Sequence, residues 1–176
     1  MTAASTPTIL LPEAEVARVV AELAERIAPA IDDDTVAAVL LTGGLWFAAD
    51  LTRALARVGR NVRFDALWLA SYGDEKSSKG SIQVYAPFQR SLVGRQVLII
   101  DDVFDTGLSL AEAVRLAKEG GASEVLTCVF ARKPWPLPRA PEPDFVGWEA
   151  PKRFLVGYGL DDAGKLRGLP DICALD

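Results

Sequence analysis

Apolar and polar positions fall into two kinds of block along this chain. Between Leu11 and Ile27, the residues Leu11, Val16, Val19, Val20, Leu23 and Ile27 recur at near-helical spacing with Glu and Arg between them, which predicts an amphipathic opening helix. After the polar turn Asp32-Asp33-Asp34, the run from Val36 to Leu41 is apolar throughout and is closed by Gly43 and Gly44. That is the pattern of a strand buried on both faces. Helical spacing returns from Leu45 to Val58 and stops at Gly59. Further strands are predicted at Phe64 to Ala70, Ile82 to Ala86, Val97 to Ile100 and Val125 to Phe130, with a helix from Leu110 to Glu119 ended by Gly120 and Gly121. The alternation of strand and helix predicts an α/β fold, a mainly parallel twisted sheet with helices on both faces whose ligands bind beyond the carboxyl ends of the strands.

Two stretches fit neither pattern. Ser71 to Ser81 is rich in Gly, Ser and Lys with almost no apolar residue and reads as a mobile loop; Pro134 to Pro143 reads as a stiff loop rather than a linker. No repeat is visible, and 176 residues with half of them apolar suit a single domain over 1-176.

Composition narrows the chemistry. Nineteen Lys and Arg against 24 Asp and Glu leave a net charge of -5, which does not attract nucleic acid in bulk. No apolar run has the length to cross a membrane, and no secretory signal opens the chain, so a cytoplasmic location is expected. Cys128 and Cys173 are far apart in sequence on apolar segments, as buried thiols are. The absence of His removes Ser-His-Asp and Cys-His machinery, so acid/base work falls to carboxylates or lysine.

The segment from Val97 to Ser109, Val-Leu-Ile-Ile-Asp-Asp-Val-Phe-Asp-Thr-Gly-Leu-Ser, carries the chemistry. Asp101 and Asp102 at a strand end suit vicinal sugar hydroxyls, which donate, and suit a hydrated magnesium ion. The turn Asp105-Thr106-Gly107-Leu108-Ser109 opens a helix, so its amides and the hydroxyls of Thr106 and Ser109 form a cup for phosphate, with Gly107 permitting close approach. Any one of these parts occurs in ordinary acidic turns that cap a helix. Their combination is rarer.

That combination resembles the signature of type I phosphoribosyltransferases, which bind 5-phosphoribosyl-1-pyrophosphate (PRPP). The resemblance extends to the hypoxanthine-guanine branch: Leu41-Thr-Gly-Gly44 is similar to its pyrophosphate loop, Asp65 through Ser71-Tyr72-Gly73 to the strand before its flexible active-site loop, and Asp144 to Glu149, Phe154 to Asp161 and Arg167 to Pro170 to its purine-site segments. It implies the type I phosphoribosyltransferase fold, with a small purine-binding hood from the terminal segments. It also implies transfer of the phosphoribosyl group to hypoxanthine or guanine with Mg2+ as the metal. By position, Asp105 would be the catalytic acid/base at the purine N7. Lys133 would contact the 6-oxo group, Phe154 would stack on the ring, and the backbone of Leu155 would read an exocyclic edge. Thr42, Gly43, Ser71 and Tyr72 would also touch substrate, Arg167 would add a cation, and Asp161 would join Asp101 and Asp102 as a metal ligand. Relatives often carry Lys or Arg where Thr42 stands, so a charge beside pyrophosphate is missing here. The family also implies a cis peptide in this loop and a homodimer or homotetramer. The partners expected are PRPP and a 6-oxopurine base, with no nucleic acid and no membrane. Two other readings are a xanthine-preferring enzyme and a nucleic-acid-binding regulator on the same fold.

Overall fold

The computed structural model describes residues 7–72, 81–139 and 141–175; of Ser71, Tyr72 and Ser81 only the backbone is described. The loop expected from Ser71 to Ser81 thus lies largely outside the described residues.

Six strands form the main sheet: β2 (Val36–Leu41), β3 (Arg63–Tyr72), β4 (Ser81–Ala86), β5 (Gln96–Phe104), β6 (Glu124–Arg132) and β7 (Phe145–Glu149), in the order β4-β3-β2-β5-β6-β7. All neighbours are parallel except β3 and β4. Helices α1 (Glu13–Ile27) and α2 (Leu45–Arg57) cover one face and α3 (Leu108–Glu119) the other. The double cover explains the continuous apolar run of β2. Ala37 and Val39 pack with Leu23, Phe47, Leu51 and Phe130 on one side, while Val36, Ala38 and Leu40 pack with Leu110, Ala113 and Val129 on the other. The α/β fold with a mostly parallel sheet is as the periodicity predicts.

A second sheet, all antiparallel, has the order β1-β9-β8, with β1 at Thr8–Leu11, β8 at Phe154–Val156 and β9 at Ile172–Leu175. This is the hood formed by the terminal segments. Leu11, expected to open the first helix, belongs instead to β1, and α1 starts after Pro12. The boundary is set from across the chain, because the Asp171 carboxylate accepts a hydrogen bond from the Glu13 N–H at 2.7 Å.

The sheet has its switch point between β2 and β5. From β2 the chain moves through α2 to β3 on one side, and from β5 through α3 to β6 on the other. Such a point leaves a crevice at the carboxyl ends of the two strands.

Candidate active site

The crevice holds most of the residues singled out above. Strand β5 is longer than its apolar core, since pairing with β2 ends at Val39↔Ile100 whereas pairing with β6 continues to Phe104↔Arg132. Asp101 and Asp102 are therefore inside the strand, on the stretch that β2 has left. A cleft of about 410 Å³ opens there, lined by Gly43, Asp101, Asp102, Asp105, Thr106, Gly107, Ser109, Asp161 and Arg167, with Leu40, Leu41, Leu69 and Val103 among its apolar walls.

The floor of this cleft is an acidic pair held by its own backbone. Asp101 accepts from the Asp102 N–H at 3.0 Å, and Asp102 accepts from the Val103 N–H at 2.9 Å. Withdrawal from water raises the proton affinity of both carboxyls above the usual carboxylate range. Asp101 rises further because the Asp102 charge stands beside it. At Asp102 the hydrogen bond with Asp101, the Val103 amide and the positive charge of Arg167 oppose the rise. Such a pair is short of positive charge. Among the described residues no three acidic, histidine or cysteine side chains converge on one point. Two hard carboxylates leaving the remaining positions to water and substrate oxygens is the donor set that magnesium accepts, so the residues fit that ion.

Gly107 sits at the N-terminus of α3 in the left-handed region, φ 82°. A side-chain methyl there would lie 3.0 Å from the Phe104 ring as well as in a strained conformation. The turn thereby lines the cleft at the start of the helix, with Thr106, Gly107 and Ser109 along its wall, where a helix N-terminus favours an anion. Leu108 is exposed and points away, its N–H weakly held by Thr106 Oγ1 at 3.4 Å.

Opposite, the peptide between Leu41 and Thr42 is cis. Leu41 and Gly43 line the cleft, while Thr42 is exposed beside them and contributes no wall. Ser71 and Tyr72 end β3 at this same edge of the sheet. Arg167 reaches in from the segment before β9, pairs with Asp161 at 2.7 Å and donates to the Gly159 carbonyl. Asp161 is further fixed by the Gly164 N–H at 2.6 Å.

A second cleft of about 400 Å³ adjoins the first, lined by Asp105, Lys133, Pro134, Trp135, Pro136, Lys152, Arg153 and Phe154. Phe154 is 53% exposed although Leu155 and Val156 beside it are buried, so it is not a core residue. Leu155 turns its side chain into the core and lines neither cleft. Asp105 lines both clefts. Its carboxylate stands 3.7 Å from Lys133 Nζ, with the lysine the more enclosed of the two at 18% exposure against 46%.

Trp135, Lys152 and Arg153 were not among the residues expected from sequence. The basic pair directly before Phe154 was a usable signal; Trp135, inside a Pro-rich loop, offered none. Arg139 is a further addition, its guanidinium stacked 4.1 Å above the Phe104 ring. Tyr158, packed on Phe130, donates to Asp50 at 3.0 Å and so ties α2 to the segment that carries Asp161.

Comparison with known proteins agrees with this geometry. Residues 8–163 match the family model described as the phosphoribosyl transferase domain, which sets the class. The chain is 36% identical over 166 residues to the hypoxanthine-guanine phosphoribosyltransferase of Aquifex aeolicus, covering 93% of this chain and 92% of that protein. It is 33% identical to the Bacillus subtilis protein of the same name, covering 95% and 92%. A crystal structure of a hypoxanthine phosphoribosyltransferase from Staphylococcus aureus superposes with a TM-score of 0.87 at 27% identity, covering 96% of this chain and 90% of that one. This chain belongs to the hypoxanthine-guanine phosphoribosyltransferase family. Among the described residues no helix is long and apolar enough to cross a membrane.

Proposed function

We propose that this protein is a purine-salvage enzyme that transfers the phosphoribosyl group of PRPP to hypoxanthine, and to guanine, releasing pyrophosphate. The observation that carries the reading is that Asp105 borders both a sugar-phosphate cleft and an aromatic, cationic cleft. A purine nitrogen displacing pyrophosphate from the ribose C1 has to react at such a junction.

In this reading the amides and hydroxyls of the turn from Thr106 to Ser109 grip the 5-phosphate, and Asp101 and Asp102 accept from the ribose hydroxyls. The backbone around Gly43 and the guanidinium of Arg167 face the pyrophosphate. Magnesium held at Asp101 and Asp102, and a second ion near Asp161, would neutralise charge on the leaving group. Phe154 stacks on the base, and the backbone next to Leu155 reads its exocyclic edge.

Lys133 and Asp105 supply a donor and an acceptor 3.7 Å apart, a spacing that suits the adjacent O6 and N7 of a 6-oxopurine, with Lys133 donating to O6 and Asp105 taking the N7 proton. An adenine amino group would meet the lysine donor with another donor, which disfavours it. As purine attacks, positive charge develops on the sugar, and the acidic floor of the cleft stabilises it electrostatically. A dimer or tetramer belongs to the same proposal.

The test is nucleotide formation by purified protein with PRPP, magnesium and each of hypoxanthine, guanine, xanthine and adenine. Turnover with the first two and little with adenine is expected. A protein that releases no pyrophosphate with any base, or that prefers adenine, overturns the reading.

A further inference from the structure

We infer that Arg139 is a positioning residue that sets the separation of Asp105 and Lys133 by bonding the backbone of both, an inference that rests on the function proposed above. One guanidinium nitrogen, Arg139 Nη1, donates to the Asp105 carbonyl at 2.6 Å, to the Lys133 carbonyl at 3.0 Å and to the Phe104 carbonyl at 3.3 Å. Those carbonyls lie at or one residue beyond the ends of two neighbouring strands, β5 and β6, whose last pairing is extended by the Lys133 N–H donating to Phe104 O at 3.0 Å. The pairing of the strands ends there, and among the described residues no backbone hydrogen bond joins Asp105 to Lys133. Arg139 closes the gap.

The side chain is itself held by two neighbours and enclosed. Its plane lies on the Phe104 ring at 4.1 Å, Nε is 3.6 Å from a Glu142 carboxylate oxygen, and the side chain is only 8% exposed. The Pro-rich loop that reads as a stiff excursion from β6 is thus the arm that returns this guanidinium to the site. A guanidinium suits this place because its planar face lies on Phe104 and its Nε faces Glu142 while one terminal nitrogen meets the carbonyls, whereas lysine offers donors but no planar face to stack. Loss of the guanidinium would leave the Asp105 and Lys133 carbonyls short of a charged donor and free the two side chains to separate. Misplacement of a reacting group by about 1 Å can cost on the order of a hundredfold in rate.

The decisive experiment compares native protein with Arg139→Met and Arg139→Lys, measuring kcat and KM for hypoxanthine at saturating PRPP, KM for PRPP at saturating hypoxanthine, and melting temperature. For Arg139→Met we expect kcat/KM for the base to fall roughly tenfold to a hundredfold, with its KM raised and the KM for PRPP changed less than about threefold. Arg139→Lys should fall between the two, and it carries the test by the same split if the Met variant does not fold. Loss of folded protein lowers kcat but moves neither KM. Unchanged KM for both substrates, or an equal rise in both, would therefore overturn the positioning role. Native protein that forms no nucleotide at all sinks the functional reading and this inference with it.

Discussion

Asp102 rests directly on the backbone of Gly43: a methyl group at Gly43 would overlap the Asp102 carboxylate, coming within 2.7 Å of its Cγ. The acidic floor and the loop facing it are in this way one packed unit, and the cleft between them has its width set by the missing side chain.

Gly43→Ala is accordingly expected to displace the Asp102 carboxylate and weaken PRPP binding by tenfold or more, roughly the loss of one or two charge-assisted hydrogen bonds. Calorimetry with PRPP and magnesium measures it. Binding within about twofold of native, on the scale of a lost neutral contact, would show that the carboxylate moves at no cost.

Crowding of Asp101 against Asp102 predicts a stability cost at neutral pH. Both carboxyls have a raised proton affinity in the folded state, so the stabilisation tied to their protonated form is complete below the unfolded carboxyl value of about 3.9 and is lost as pH rises through the folded value. Asp101→Asn keeps the neutral form. It should melt higher than native protein at pH 7, by about 2–4 °C for each kcal/mol relieved, and the gap should close as pH falls towards 4. Magnesium should narrow the gap at pH 7 by stabilising the native pair. A variant that melts lower than native at pH 7 contradicts the electrostatics.

Asp105→Asn keeps shape and removes a base. Turnover should drop by roughly 10²–10⁴ while nucleotide affinity stays nearly constant. Equal losses in both would argue that Asp105 holds ligand rather than moves a proton.

Lys133→Met tests discrimination between bases. The KM for hypoxanthine should rise about tenfold or more, since a charged donor to O6 is removed, and inhibition by adenine should not weaken in parallel. Parallel weakening would mean that Lys133 fills space only.

Outside the clefts, Asp65 is buried and accepts from the N–H groups of Ala66, Gln89 and Arg90, at 2.8 to 3.0 Å for the shortest bond to each. It fastens the chain between β4 and β5. Asp65→Ala leaves these buried donors without their partner, a loss of about 2–3 kcal/mol that denaturant unfolding can measure. Little change in the unfolding midpoint would mean that water replaces the carboxylate.

The main sheet was legible because each of its central strands is buried on both faces, a condition that Val36 to Leu41 and Val97 to Ile100 display without help from distant residues. The acidic pair and the anion cup were equally local. The hood strands β1 and β9 were not: each is four residues long and gains its identity from pairing with the opposite end of the chain. The same holds for the reach of β5 past Ile100, which β6 sustains beyond the end of the apolar run. Arg139 was invisible for a different reason. Its partners are carbonyl oxygens, which every residue possesses, so no side-chain pattern announces them.

Register Thr8↔Ala174 in the hood has a consequence for how the molecule assembles. A contact spanning nearly the whole polypeptide pays its loop-closure entropy only once the intervening chain is compact, which places it late in folding. The acidic pair and the turn from Asp105 to Ser109 come from the middle of the chain and do not wait for it, whereas Asp161 and Arg167 join the crevice from the C-terminal segment. On mild heating the order reverses, and affinity for the base should vanish while the phosphorylated sugar is still held.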